Sequence, residues 1–155
     1  MTIKEGLIWA REALKEACER PALEAELLLA YHLGQDRTYL LIHERDSFPD
    51  VDTFQQLIQR RAAHEPYEYI VGSASFYDIH LEVEEGVLIP RPETEILIDL
   101  VAEIIEKEKM TRIAEIGVGS GAISIVLARK FPQLRIIATD SCDTPLKVAR
   151  KYIEP

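Results

Sequence analysis

Near its C-terminal third the chain passes from β-branched residues into Glu115-Ile116-Gly117-Val118-Gly119-Ser120-Gly121-Ala122. A strand that stops in such a turn and feeds a helix leaves free backbone N–H groups at the helix start, and glycines let a ligand approach them closely. Asp140 sits at the tip of the next apolar run, 23 residues beyond Gly117, where a carboxylate can accept hydrogen bonds from ribose hydroxyls. Together the two features predict an adenosine-type cofactor. Gly117, Gly119 and Ala122 also satisfy G-x-G-x-x-A, so a dinucleotide and nicotinamide chemistry compete. Glu115 favours S-adenosylmethionine instead, because an acid two residues before the first glycine suits an ammonium and a sulfonium better than a pyrophosphate. A third account needs no ligand: the glycines would permit close helix–strand packing, and Asp140 would cap the helix that follows.

A second segment, Pro90-Arg91-Pro92-Glu93-Thr94-Glu95, has its own physics. The two prolines restrict the backbone around Arg91, and Glu93 or Thr94 can begin a helix with favourable capping and dipole interactions. A stiff loop at a helix start can wall a pocket, or it can be a well-capped helix entrance and no more. His32, His43, His64 and His80 have no ligand spacing, and no metal site is expected. Tyr67, Tyr69, Phe76 and Tyr77 read as packing of a hairpin rather than as a stacking platform. Glu103, Glu106 and Glu108 with Lys107 and Lys109 read as a solvated helix face.

The elements that must position these residues follow from periodicity. Ile3, Leu7, Ala10, Leu14 and Ala17 recur at helical spacing, and Pro21 opens a second helix with Leu23, Leu27, Leu28 and Tyr31, ended by Gly34. A short segment around Tyr39-Leu40-Leu41-Ile42 and a fourth from Val51 to Ala63 complete a small helical bundle. After Pro66 the composition turns aromatic and β-branched. Tyr67–Val71 and Ser75–Val83 read as extended, Glu84-Glu85-Gly86 as a turn, and Val87–Ile89 as a strand pairing back, which makes a β-hairpin linker. From Glu93 a broad apolar stripe returns at helical spacing, formed by Ile96, Leu97, Leu100, Val101, Ile104 and Ile105. Then come a strand over Ile113–Ile116, a helix from Ala122 to Arg129, a strand over Leu134–Thr139 and a helix from Pro145 to Tyr152. That order is the start of a doubly wound parallel sheet.

Composition sets outer limits on these readings. The chain has 155 residues, 47% apolar and 29% charged, enough to bury a core. Lys and Arg total 18 against 27 Asp and Glu, a net charge of −9, which argues against direct nucleic-acid binding. Cys18 and Cys142 lie too far apart for a zinc or disulfide framework, so reduced thiols and a cytoplasmic location are expected. The acidic, amphipathic start is unlike a signal peptide, and no apolar run is long enough for a membrane span.

Gly86-Val87-Leu88-Ile89-Pro90-Arg91-Pro92-Glu93-Thr94-Glu95, followed by Glu115 to Ala122, resembles the protein-(glutamine-N5) methyltransferases of peptide-chain release factors. Arg61, Pro66, Tyr69-Ile70, Gly72 and Phe76 fit the same family. The resemblance implies an α+β chain: a helical substrate-binding domain over 1–65, a β-hairpin linker over 66–92, and over 93–155 the truncated start of a Rossmann-like class I methyltransferase domain. It implies a release factor as protein partner and methyl transfer from S-adenosylmethionine to the glutamine amide of that partner's Gly-Gly-Gln loop. By position, Glu115, Gly117, Val118, Gly119, Ser120, Gly121 and Asp140 would bind the donor. Arg91, Glu93 and Thr94 would lie near the pocket.

The chain departs from the family in one respect that bears on activity. The family orients the target amide with an Asn-Pro-Pro-Tyr motif, and this sequence has no asparagine and no consecutive prolines. No catalytic residue is therefore assigned, and the chain by itself is expected to be an inactive fragment. A sheet cut short leaves an unpaired edge, so residues beyond about Thr111 are expected to be mobile, rearranged or paired with a second copy. Three other classes stay open: a nicotinamide-dependent dehydrogenase fragment, a non-enzymatic protein-binding adaptor, and an enzyme methylating a base nitrogen, for which the basic groove is missing.

Overall fold

A computed structural model describes residues 1–152 of the chain. Contacts divide it after Val71 into two units.

In the first unit, α1 (Ile3–Ala13) starts at a capping box: the Glu5 N–H donates to the Thr2 hydroxyl at 3.3 Å, and the Thr2 N–H donates to the Glu5 carboxylate at 2.8 Å. Helix α2 (Pro21–Leu33) has proline at its first turn and closes on Gly34 in the left-handed region, φ 62°. Asp36 caps α3 (Arg37–Ile42) by accepting from the Tyr39 N–H at 2.7 Å. Helix α4 (Val51–Ala62) follows, and α5 (Tyr67–Val71) closes the unit. Ile3, Ala10, Leu14, Leu28, Phe54 and Ile58 form the core. Helix α2 differs from its expected face: Ala25, Leu28 and Leu29 are buried, whereas Tyr31 is exposed.

Helix α5 is a correction, since Tyr67–Val71 was expected to be extended. The Tyr69 and Ile70 N–H groups donate to the Pro66 carbonyl, and Ile70 is buried with Tyr67 and Val71 packed beside it. Strand propensity yields here to an i, i+3, i+4 apolar face that the bundle core can cover.

The second unit opens with an antiparallel hairpin of β1 (Ser73–Phe76) and β2 (Ile79–Glu82), in which Phe76 pairs with Ile79. The expected single strand over Ser75–Val83 thus folds back on itself around Tyr77 and Asp78. Val87–Ile89, expected as the return strand, is not a strand; Val87 and Ile89 are buried beyond the turn that the Val87 N–H closes on the Glu84 carbonyl. The hairpin reversal carried no glycine or asparagine to mark it, because Tyr77 takes the left-handed position itself, φ 55°.

After α6 (Glu93–Glu108), β3 (Arg112–Ile116), α7 (Ala122–Lys130), β4 (Arg135–Thr139) and α8 (Asp143–Arg150) follow in order. Strands β3 and β4 pair in parallel, with Arg112 opposite Arg135 and Ile116 opposite Thr139. The chain is therefore of mixed helix and strand, with two small sheets. From Arg112 to Arg150 the elements follow in the sequence that their pattern predicts. The core of this unit gathers Phe76 and Leu81 from the hairpin, Ile98 and Ile105 from α6, and Val126 and Leu127 from α7. Of the broad stripe expected on α6, only Ile105 is buried and Val101 partly so, while Ile96, Leu97, Leu100 and Ile104 are about half exposed or more; the other buried position of the helix, Ile98, lies outside that stripe.

Candidate functional site

The glycine turn joins β3 to α7 and is laced to the end of β4. The N–H groups of Gly117 and Val118 both donate to the Thr139 carbonyl, at 2.8 and 2.9 Å. Gly117, Gly119 and Gly121 have φ of 82°, 55° and 88°, a left-handed backbone that glycine adopts at least cost. Their surroundings differ. A Cβ on Gly117 or Gly119 would meet open space, whereas one on Gly121 would lie 2.9 Å from Ile125 Cδ1 and 3.3 Å from Ala149 Cβ. Gly121 is the packing glycine of α7 and α8, and the other two present bare backbone.

Asp140 ties the turn down from the next strand. Its Oδ2 accepts from the Gly119 N–H and its Oδ1 from the Cys142 N–H, each at 3.0 Å. These bonds, Gly119's first, hold its carboxyl below the ordinary carboxylate range. Asp140 is thus at once a brace for the glycine turn and the head of an Asx turn; it does not cap α8, whose N-cap is Cys142 with no side-chain cap bond. Glu115 points from β3 beneath the turn, where the Ser124 hydroxyl of α7 donates to its carboxylate. Burial pushes the Glu115 carboxyl up, and the Ser124 bonds pull the other way.

A cavity of about 80 Å³ lies between the glycine turn and the start of α6. Arg91 and Thr94 face Glu115, Val118, Gly119 and Ser120 across it. Two segments that stand far apart in sequence therefore share one wall. Gly117, Gly121, Asp140 and Glu93 are not on that wall. Glu93 is exposed in the first turn of α6, and no side chain caps that helix; the Thr94 N–H donates to the Arg91 carbonyl at 2.9 Å and the Glu95 N–H to the Pro92 carbonyl at 3.0 Å. The capping role expected of Glu93 or Thr94 is taken by the backbone of the proline segment. Leu88 and Pro90 also line the cavity, and Ser124 supports it. Sequence reasoning placed Pro90 in the stiff loop that walls a pocket and Leu88 in the Gly86–Glu95 stretch that signalled the site, but missed Ser124 and Ile123, which also lines the cavity.

Neither charge on the cavity wall has a charged partner, although Glu115 accepts from the Ser124 hydroxyl. Among the described residues neither Arg91 nor Glu115 takes part in an ion pair. A half-buried carboxylate and a guanidinium across a small cleft suit a ligand group that carries both signs of charge. No cluster of His, Cys, Asp and Glu among the described residues could hold a metal ion, and no helix among them is long and apolar enough to cross a membrane.

A larger cavity, about 470 Å³, lies in the first unit beside Cys18, Glu24, Arg61 and Tyr67. Arg61 is engaged there. Its Nε and Nη2 donate to the Glu24 carboxylate, its Nη1 donates to the Glu65 carbonyl at 3.4 Å, and burial pushes the Cys18 thiol up.

Residues 5–72 match the family model of the PrmC N-terminal domain. The release factor glutamine methyltransferase of Dictyoglomus turgidum is 44% identical over 149 residues, covering 96% of this chain and 53% of that protein. The release factor glutamine methyltransferase of Koribacter versatilis is 39% identical over 153 residues, 97% of this chain and 55% of its own length. Over nearly its whole length the chain is similar to release factor glutamine methyltransferases. A bifunctional methyltransferase of Rickettsia prowazekii is also similar, 35% identical over 170 residues and covering 33% of that longer protein. The chain spans about half the length of the release factor glutamine methyltransferases it matches. The matched N-terminal domain ends one residue past Val71, where the contacts divide the chain.

Proposed function

We propose that the chain carries the substrate-binding helical domain and the donor end of the cofactor site of a release factor glutamine methyltransferase. The observation that carries this reading is the pair of charges without an ion-pair partner, Arg91 and Glu115, on one cleft beside the open glycines. S-adenosylmethionine ends in an amino acid, with a carboxylate for Arg91 and an ammonium for Glu115, and the bare backbone of Gly119 lets that end approach closely. The cavity, about 80 Å³, is well below the ~300 Å³ or more of a pocket that encloses a whole ligand, so these residues wall only one end of the donor. Gly117, Val118 and Ser120 would complete that wall, Gly121 would set the turn by packing, and Asp140 would reach the ribose with the lone pairs left free by Gly119 and Cys142. Glu93 and Thr94 would border the side from which the target enters. The order β3–α7–β4–α8 is that of a Rossmann-like class I domain, and 1–65, 66–92 and 93–155 are read as substrate domain, linker and first part of the donor domain.

The donor supplies a methyl group on a sulfonium. The acceptor is the side-chain amide nitrogen of the glutamine in a release factor's Gly-Gly-Gln loop. That nitrogen is a poor nucleophile, because its lone pair is delocalised into the carbonyl. Transfer needs acceptors that orient the amide for in-line attack, and with no asparagine here this chain does not supply the family's Asn-Pro-Pro-Tyr. The residues present bind and place; the chain alone is proposed to be inactive. Such an enzyme would act in the cytoplasm, which the two free cysteines, Cys18 and Cys142, suit.

Titrating the ¹⁵N-labelled chain with S-adenosylhomocysteine should shift the amides of Gly119 and Ser120 and leave those of α1 and α2 in place. Shifts with NAD and none with S-adenosylhomocysteine would overturn the assignment in favour of a dinucleotide. Methylglutamine formed on a release factor by this chain alone would overturn the claim of inactivity.

A further inference from the structure

Tyr77 is the most constrained residue of the second unit. It holds a positive φ of 55°, where a bulky side chain persists only if its surroundings over-determine it. Its backbone N–H donates to the Glu95 carboxylate at 2.8 Å, and its phenol O–H donates to Asp99 Oδ1 at 2.9 Å. Glu95 and Asp99 are four residues apart, so Tyr77 spans one turn along a single face of α6. From the far end of α7, Lys130 Nζ donates to the phenol oxygen at 2.6 Å, lies 4.6 Å from the ring centroid and sits 3.7 Å from Asp99 Oδ1. Beside it Arg129 pairs with Asp78 at 3.4 Å. One side chain thereby joins the hairpin tip, the first half of α6 and the C-terminal end of α7.

The consequence lies at the starts of the two helices, close to the staple on α6 and at the far end of α7. Helix α6 begins at the Arg91–Thr94 wall of the cleft and α7 begins at the glycine turn, so fixing α6 against α7 fixes the distance across the cleft. We propose that Tyr77 is a positioning residue, which staples α6 to α7 so that Arg91 and Thr94 face Glu115 and Gly119. The proposal rests on the donor-site reading only for what the cleft receives, and the positioning itself can be read without a ligand.

Amide hydrogen exchange on the full chain tests it. In Tyr77→Phe and Asp99→Ala the first-turn amides of Thr94 and Glu95 should exchange about tenfold faster, a local opening, while Leu28 and Leu29 of α2 keep their rates. Asp99→Asn still accepts the phenol proton and should restore wild-type rates. Tyr77→Gly relieves the backbone strain but removes the phenol; it should keep the hairpin and still speed Thr94. Unchanged rates at Thr94 and Glu95 overturn the proposal. So does equal acceleration of every amide from Gly72 to Tyr152, which is what a purely stabilising role gives. If the exchange pattern is as expected and the wild-type chain ignores S-adenosylhomocysteine, the donor reading fails and the positioning role stands.

Discussion

Asp140 and Glu115 flank the same turn and titrate in opposite directions for opposite reasons. Asp140 is held low by N–H donors, so its contribution to stability is present above the unfolded value and is lost as pH falls through the folded one. The Gly119 amide resonance, reporting that bond, should therefore titrate with a midpoint below ~3.9, the value of an unperturbed aspartate. A midpoint at or above it would mean that the bond to Gly119 does not hold in solution. Glu115 is pushed up by burial, so its contribution is full below the unfolded value and declines as pH rises through the folded one. Glu115→Gln should consequently melt higher than wild type at neutral pH, with the gap closing below about pH 4 where both side chains are neutral. Equal melting temperatures at pH 7 would contradict the burial argument. Sequence spacing made both residues candidates. The turn's tertiary folding decided that Asp140 braces the glycines and that Glu115 is left without a cation.

At the level of elements, the three glycines of one turn have separate duties. Gly121 lets α7 approach α8, and adding a methyl there combines left-handed strain with contacts to Ile125 and Ala149 at 2.9 and 3.3 Å. Gly121→Ala should cost about 3 kcal/mol of stability by chemical denaturation. Gly119→Ala meets open space and carries backbone strain alone, about 1 kcal/mol. Equal costs would show that the α7–α8 contact is not as tight as described. The G-x-G-x-G pattern revealed where a turn must lie and gave no means of separating these duties, because one of the two residues a Cβ on Gly121 would strike, Ala149, belongs to α8, 28 residues further on. Helix α5 and the hairpin teach the same lesson from the other side. Tyr67–Val71 is strand-like by composition, and its helical spacing became decisive only when the bundle core offered Ile70 a place. Tyr77 occupies a position that glycine or asparagine would have announced.

For the molecule as a whole, the parallel sheet leaves apolar side chains of one face in solvent. Its inner face meets α7, whereas on the outer face Ile116 is 91% and Ile137 68% exposed, beside open strand edges. Parallel sheets bury both faces, and bare edges template pairing with another chain. Concentration-dependent self-association is the expected outcome, measured by sedimentation velocity, and Ile116→Lys with Ile137→Lys should abolish it. A monomer at every concentration would remove this expectation.

The sequence by itself determined the four helices of the first part, the order of the elements from α6 onward and the strand–glycine–helix passage, because periodicity and turn chemistry are local properties of the chain. The sequence also contains no asparagine, on which the proposal of inactivity rests. Only the tertiary structure decided which glycines are open, which faces of α6 are covered, and that Arg91 and Thr94 meet Glu115 and Gly119 across one cleft. Those outcomes depend on atoms distant in sequence that come together when the core closes.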